Sequence, residues 1–468
     1  MSIMTEFYKS YQKSPNWVQN TVGSVYNLIP SKYKYGVKFV NQLNYLKNTQ
    51  YLSKEEMLQL QNKKFLELVR YSYNYVPYYK GLFDEHGISL NSIKTIDDIK
   101  IIPFLTKEIV RDNFESMIST KVNKNRLKYV TTGGTSGKPF GFYIDYDNDL
   151  IEWAFVTDLW SRIGFGNHDT RLVMRGKTFS NLKKGIPWQY DSIKKELSIS
   201  IFDMTEENMY LYVTLINKYK PEFIHGYISA VQILCKFIEK SKSHINYQIK
   251  GVLGVSENIH KHQVEYIEKI LNARVFSFYG HSERLILAGE CEYSTNYHVT
   301  PQYGITEIVD KHGNIIEDNS LGELIGTGFN NLCMPFIRYK TGDMARWSKE
   351  TTCKCGRSYK RLETVEGRWK QEMLMKKDES LVSITALNMH SNVFDNVKQF
   401  QLYQSEKGKV IVKVVCDMNF KSSDKESIIN ELIKKTGDGI DYSIEKVKEI
   451  KAKTNGKYIF VEQKLNID

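Results

Sequence analysis

The chain has 468 residues, of which 41% are hydrophobic and 25% charged, and it carries a formal net charge of +11. This composition supplies enough apolar surface to offset ordering entropy, so bulk disorder is excluded, and the length allows about two to four domains. No apolar run reaches ~18 residues, the opening MSIMTEFYKSYQ lacks a secretory h-region, and six cysteines are too few for a disulfide framework; a cytoplasmic protein with reduced thiols is expected.

The first 50 residues hold Lys9, Lys13, Lys32, Lys34, Lys38 and Lys47 against Glu6 alone, among aromatics that include Trp17, Tyr33 and Tyr35. This reads as a helical arm with its lysines in water, and the same text suits peripheral contact with an anionic membrane face or glycan. Specific nucleic-acid binding is not expected, because no recognised module accompanies the charge. Residues 54–78 form one amphipathic helical pattern that stops near Pro77. From about residue 125, short apolar stretches alternate with helical ones. LKYV and FGFYID precede a helix over IEWAFVTDLWSRIG; EFIHGY, AVQILCKFIEKS, IKGVLGV, KHQVEYIEKIL and RVFSFYG continue the rhythm. This is an α/β texture of layered sheets and helices. From 300 to 366 the pattern turns strand-rich, and the last hundred residues form a small α+β set beyond a boundary near Glu366–Gln371. The expected division is a helical arm and entry segment over 1–120, a core with a strand-rich subdomain over 121–366, and a small C-terminal domain over 372–468.

The most informative stretch is Thr132-Gly133-Gly134-Thr135-Ser136-Gly137-Lys138-Pro139. Glycines let backbone N–H groups approach an oxyanion, while hydroxyls and an ammonium complete a cradle for polyphosphate. It is not a Walker A loop: the glycine spacing is shorter, Pro139 stands where a Ser/Thr would bind Mg²⁺, and a strand rather than a helix follows. Three further blocks each follow a strand. Tyr279-Gly280-His281-Ser282-Glu283 offers an aromatic face for a base, a close backbone approach and a carboxylate for a hard cation. Thr341-Gly342-Asp343 offers a lone carboxylate suited to a ribose diol. Gly254-Val255-Ser256-Glu257 is the third.

Taken in this order, the blocks resemble the adenylate-forming, acyl-activating superfamily, and within it the phenylacetate–coenzyme A ligase-like, CapK-type branch of capsular polysaccharide loci. The similar text includes YVPYYKGLF (75–83), IPFLTKEIVRDNFE (102–115), TTGGTSGKP (131–139), GVSEN (254–258), YGHSE (279–283), LGELIGTGFNNLCMPFIRYKTGD (321–343), EGR (366–368) and TNGKYIFVEQ (454–463). The resemblance implies an acyl-CoA synthetase-like fold: a large N-terminal domain and a small mobile C-terminal one. It implies a ligase reaction in which a small carboxylic acid and MgATP give an acyl-adenylate and pyrophosphate, after which a thiol such as coenzyme A, or an acceptor amine, takes the acyl group. It implies roles as well. Thr132, Thr135, Ser136 and Lys138, with Gly133, Gly134 and Gly137, would hold the β- and γ-phosphates. Glu283 would bind Mg²⁺. Tyr279 and Gly280 would flank the adenine, with Gly254, Ser256 and Glu257 opposite. Asp343 and Arg368 would serve the ribose, and Lys457 would bridge the α-phosphate and the substrate carboxylate. Tyr227 and His281 would line the acid pocket. The hinge would fall at 367–371, where Gly367-Arg368-Trp369-Lys370-Gln371 departs from the Gly-Arg-x-Asp-Asp of phenylacetate ligases and leaves Lys370 or Gln371 as the pivot. The alternative, from a different class, is a glycan- or membrane-surface-binding protein on the same fold without catalysis.

Cys291 and His298 flank CEYSTNYH, and Cys353 and Cys355 lie in CKCGR. Three thiolates and an imidazole make a Cys₃His set, the composition of a closed structural zinc site. The expected role is to staple the strand-rich subdomain.

Overall fold

The computed structural model describes the chain apart from residues 1–7, 9, 12–13, 30, 133–139, 176–180, 182–184, 202–203, 256–258, 260, 367–372, 380, 384–391, 395, 437–438, 452–458, 460 and 467–468. Helix α1 (Asn16–Leu28) is followed by α2 (Ser31–Thr49), which kinks where Gly36 takes φ 83°. Helix α3 (Lys54–Tyr75) opens on a capping box: Glu56 N–H donates to Ser53 Oγ, and Ser53 N–H donates back to the Glu56 carboxylate. It ends at Val76, which is extended because the ring of Pro77 disfavours helical geometry in the preceding residue. The same proline then starts α4 (Pro77–Glu85), where its missing N–H costs nothing. The single helical pattern read over 54–78 is therefore two helices.

Strands β1 (Leu127–Thr132) and β2 (Phe140–Asp145) form an antiparallel hairpin in register from Leu127↔Asp145 to Thr132↔Phe140, and α5 (Asn148–Ser161) follows. Next come β3 (Arg171–Met174), β4 (Trp188–Asp191), β5 (Glu196–Ile199), α6 (Glu206–Tyr219), β6 (Phe223–Gly226), α7 (Ile228–Ser241), β7 (Gly251–Gly254), α8 (Lys261–Leu271) and β8 (Arg274–Gly280). The strand-rich region holds β9 (Leu287–Gly289), β10 (Tyr297–Val299), β11 (Gly304–Val309), β12 (Gly322–Gly328), β13 (Tyr339–Trp347) and β14 (Arg361–Glu366). The C-terminal part holds β15 (Met373–Met375), β16 (Leu381–Ser383), β17 (Val397–Glu406), β18 (Lys409–Cys416), α9 (Ser422–Thr436), β19 (Asp441–Lys446) and β20 (Val461–Gln463).

Two compact units divide the chain: one of Met1–Val25, His168–Val275 and Glu366–Asp468, the other of Tyr26–Asn167 and Phe276–Val365. In the first, a sheet runs β7-β6-β3-β5-β4, parallel except for the β4 edge. Every residue of β3, β6 and β7 is buried, as expected for strands with covered faces, which read as short continuous apolar runs. The C-terminal part of that unit has its own sheet, β19-β18-β17-β20. Its hairpin turns at Gly408 (φ 67°), and its core joins Leu402, Val410, Val412, Val414 and Val461 to Ile428 and Leu432 of α9.

In the second unit the sheet runs β11-β12-β13-β14-β10-β9-β8. Phe65, Leu68 and Val69 of α3, Tyr79 and Phe83 of α4, and Phe142 and Ile144 of β2 share one core with Ile286, Leu324, Ile337 and Tyr339. Two buried polar contacts fix the entry to β13. The Tyr79 hydroxyl donates to the Pro335 carbonyl and accepts from Ile337 N–H, at 3.0 and 2.9 Å. Arg338 takes φ 53°, so its guanidinium forks onto Glu307 (2.8 Å) and reaches the carbonyls of Lys100 and Ile102. Both side chains of this ion pair are almost wholly buried, and removing one partner of such a pair strands a charge. Arg338→Ala is therefore expected to destabilise the fold by about 3–5 kcal/mol. Adding Glu307→Gln should recover part of that loss in urea titration; an Arg338→Ala protein as stable as the parent contradicts the assignment.

Candidate active site

Strand β8 delivers Tyr279 and Gly280 to the sheet edge, where they pair with Ala288 and Leu287 of β9. The turn between the strands is His281-Ser282-Glu283-Arg284. Arg284 closes it by donating its N–H to the His281 carbonyl at 3.0 Å, in a left-handed conformation (φ 59°) that is costly for a side-chain-bearing residue. Glu283 is buried in this turn. Its Oε1 accepts from the Tyr339 hydroxyl at 3.0 Å, and its Oε2 lies 3.2 Å from His281 Nδ1. The Ile286 N–H donates to His281 Nε2 at 3.3 Å, which leaves the ring proton on Nδ1, aimed at Glu283. Burial works to raise the Glu283 pKa, but the contact with His281, a hydrogen bond first of all, outweighs it and holds the carboxyl down at about 2.

Asp343 lies on β13 one residue after Gly342, which has φ 76°. Its N–H donates to Thr341 Oγ1 at 3.1 Å, and its Oδ2 accepts from the Tyr279 hydroxyl at 2.6 Å. Burial first, and then the negative charge of Asp343, push the Tyr279 phenol well up, so it stays a donor. Tyr339, Thr341 and Asp343 are all buried on β13, in the stretch where its register with β12 shifts and Gly342 turns left-handed. The unit thus presents two oriented carboxylates, Glu283 and Asp343, each held by a tyrosine hydroxyl.

The structure brings Tyr279, Gly280, His281, Glu283 and Asp343 together. Thr132 is the last residue of β1, paired with Phe140. Gly133, Gly134, Thr135, Ser136, Gly137, Lys138, Ser256, Glu257, Arg368 and Lys457, with the hinge at 367–371, lie outside the described residues. Gly254 and Tyr227 belong to the other unit. Gly254 ends β7, where a Cβ would sit 2.9 Å from the side-chain ends Ile228 Cδ1 and Ile259 Cδ1. Tyr227 is buried at the start of α7, its N–H bonded to the Met174 carbonyl at 3.0 Å. Sequence reading missed Tyr339 as a partner of Glu283. Its place in the same short block as Asp343, RYKTGD, was the available signal.

The cysteine–histidine set also converges: Cys291, His298, Cys353 and Cys355 place their ligand atoms within 4.8 Å of one another. Cys291 Sγ and Cys353 Sγ are 3.6 Å apart, and Cys355 Sγ and His298 Nε2 are 3.4 Å apart. A tetrahedron with zinc–sulfur bonds of about 2.3 Å has edges of roughly 3.7 Å, slightly less toward nitrogen. His298 Nδ1 is 3.1 Å from the Asn296 carbonyl, a contact that places the ring proton there and leaves Nε2 as a lone pair facing Cys355. Gly356, at φ 77°, provides the tight turn that lets a C-x-C pair face one point.

Comparison with known proteins gives a consistent picture. The CapK C-terminal domain family matches residues 374–464. Protein CapK of Staphylococcus aureus is 25% identical over 457 residues, 96% of this chain and 98% of that protein. The phenylacetate-coenzyme A ligase of Thermus thermophilus is 25% identical over 327 residues, 68% of this chain and 71% of that one. Among solved structures, 2-hydroxyisobutyryl-CoA ligase in the postadenylation state with 2-HIB-AMP aligns with a TM-score of 0.70 at 16% identity, covering 88% of this chain and 91% of that chain. The anthranilate CoA ligase AuaEII in complex with anthranoyl-AMP aligns at 0.50 and 14% identity, covering 77% and 74%. The fold is that of acyl-CoA ligases. Among the described residues no helix is long and apolar enough to cross a membrane.

The Glu283 environment makes a pH prediction. Because its folded-state value lies below the ordinary 4.5, it contributes stability that is complete above that pH and is lost as pH falls toward 2. His281→Ala removes the group that holds it down, so melting temperatures in that acid window should become less steeply pH-dependent than in the parent. An unchanged slope contradicts the pairing.

Proposed function

We propose that this chain, a member of the adenylate-forming superfamily in its CapK and phenylacetate–CoA ligase-like branch, couples ATP to activation of a carboxylic acid and then passes the acyl group to coenzyme A. The substrate carboxylate oxygen attacks the α-phosphorus, the bond from that phosphorus to the leaving pyrophosphate oxygen breaks, and an acyl-adenylate forms. The thiol then attacks the acyl carbon and loses its proton, and AMP leaves. The observation that carries this reading is the pair of oriented carboxylates, Asp343 donated to by Tyr279 and Glu283 donated to by Tyr339, on one sheet. Similarity to the phenylacetate-coenzyme A ligase of Thermus thermophilus over 68% of the chain supports it.

In this reading Asp343 accepts from the ribose hydroxyls, assisted by Arg368, and the Tyr279 ring and the Gly280 backbone pass beside the adenine; Gly254, Ser256 and Glu257 are assigned to the same base. Thr132, Gly133, Gly134, Thr135, Ser136, Gly137 and Lys138 surround the β- and γ-phosphates. Lys457 carries positive charge to the α-phosphate and the incoming carboxylate. Tyr227 and His281 border the acid, His281 also orienting Glu283. Most of the catalysis is then positioning and charge stabilisation, since negative charge grows on the phosphate oxygens and on the leaving pyrophosphate. Mg²⁺, when bound, neutralises part of that charge; Glu283, ionised and offering a hard oxygen, suits it.

Cys291, His298, Cys353 and Cys355 hold zinc in this reading, because donor types and separations both fit a closed tetrahedral site. The role is structural. The neighbouring Arg357 is forked onto Glu292 and bonded to Gln50, and Ser358 reaches the Leu52 carbonyl, so the metal would also steady the junction between α2 and α3.

Purified protein given ATP, coenzyme A and a panel of carboxylic acids should release pyrophosphate with at least one acid and form its CoA thioester. Glu283→Gln should reduce turnover by about 10²–10³-fold, the cost of losing one electrostatic stabiliser. A parent protein that releases no pyrophosphate with any aryl, fatty, amino or sugar acid contradicts the reading. For the metal, elemental analysis should find about one zinc per chain, and Cys353→Ser with Cys355→Ser should abolish it and lower the melting temperature. A parent chain that stays zinc-free after reconstitution removes the metal from the account.

A further inference from the structure

Where α1 ends and α2 begins, the hydrogen bonds of the corner leave apolar side chains outside. Lys34 Nζ, on the first turn of α2, donates back to the Asn27 carbonyl at 2.9 Å and lies 5.5 Å from the centre of the Tyr26 ring. The Tyr26 hydroxyl donates to the Lys34 carbonyl at 3.3 Å. These contacts tie the end of α1 to the start of α2. Leu28 is nevertheless 84% exposed and Tyr33 75% exposed, and Ile29 and Val37 in the same stretch are exposed as well. Further along α2 the setting changes: Phe39 and Leu46 are buried, and Lys38 is paired with Asp147, the residue before α5. The helix thus has a packed base and an apolar tip.

We infer that this corner docks on an anionic lipid bilayer: Leu28, Ile29, Tyr33 and Val37 enter the headgroup boundary, and the neighbouring lysines meet lipid phosphates. Two observations select that occupant. Residues 26–54 carry five lysines (Lys32, Lys34, Lys38, Lys47 and Lys54) and neither an arginine nor an acid, so they hold +5 of the chain's +11. An anionic bilayer attracts each lysine held near its surface. The exposed side chains of the corner, moreover, are mostly aliphatic. Leu28, Ile29 and Val37 gain by leaving water, but they have no π-face on which a nucleic-acid base could stack. Lysines interleaved with aliphatic and aromatic side chains suit a segment that lies in the membrane interface. A corner already tied by Lys34 and Tyr26 also loses little conformational freedom on docking. None of these residues belongs to the nucleotide-binding set proposed above.

The test is co-sedimentation of the full chain with vesicles of phosphatidylcholine alone and of phosphatidylcholine and phosphatidylglycerol in equal parts, alongside melting curves and gel filtration. The parent should partition about tenfold more strongly onto the anionic vesicles, and salt at about 1 M, where the Debye length is about 3 Å, should remove most of that difference. Leu28→Ser with Tyr33→Ser leaves the net charge unchanged, and at such exposed positions the melting temperature should hold. That double variant should lose about tenfold in partitioning onto the anionic vesicles, whereas Leu28→Phe with Tyr33→Trp should bind them at least as well as the parent. A parent chain that stays in solution with anionic vesicles would overturn the inference. So would a serine variant that binds them as the parent does, because net charge alone would then explain the binding. A parent that dimerises in gel filtration and binds no vesicle, with a monomeric serine variant, would give the corner to a second copy of the chain instead.

Discussion

The site depends on one hydrogen-bonded arrangement: a buried, ionised Glu283 held between the Tyr339 hydroxyl and the Nδ1 of His281. A carboxylate withdrawn from water is costly unless its oxygens are satisfied by donors, and here both are. The donors in turn are placed by the sheet. Tyr339 projects from β13 beside Asp343, and His281 is locked by the Ile286 amide, so the tautomer that can donate to Glu283 is the one present. Satisfying that carboxylate therefore also fixes the turn after β8, the Tyr339–Asp343 stretch of β13, and the pairing of Tyr279 with Asp343.

Behind this arrangement stands a scaffold that resists adjustment. The segment before β13 is pinned by the buried Arg338–Glu307 pair and by the two hydrogen bonds of Tyr79. Positive φ values at Arg284, Arg338 and Gly342 mark where the chain is bent to bring side chains to the site. Non-glycine residues in that conformation persist only where surrounding contacts over-determine them. For Arg284 those contacts are its own amide bond to His281 and the side-chain bridge to Asp149; for Arg338 they are Glu307 and two carbonyls. The cysteine–histidine cluster acts on another part of the same sheet, joining the β9–β10 connection to the β13–β14 connection.

Much of this was legible in the sequence where signals were local. YGHSE, TGD and the alternating α/β text each depend on neighbouring residues, and the strand FGFYID, the helix AVQILCKFIEKS and the strand RVFSFYG fall where expected. Strands β3, β4 and β5 escaped because each is only four residues long, too short for a periodic pattern to emerge. Helix α6 escaped because the four tyrosine and valine positions in EENMYLYVTLINKY speak equally for strand. In the strand-rich stretch, β13 begins only at Tyr339, because Arg338 turns left-handed to reach Glu307. Contacts between distant segments, such as Asp149 with Arg284 or Tyr339 with Glu283, leave no trace in local text. By contrast the four metal-type ligands were legible, since their chemistry is rare enough that two separated pairs suggest one site.

The most direct test is a crystal structure of the full chain grown with ATP and Mg²⁺. The ribose hydroxyls should lie on the Asp343 carboxylate, the adenine against Tyr279 and a cation beside Glu283. A nucleotide bound away from both carboxylates, or none bound at saturating ATP, would contradict that reading.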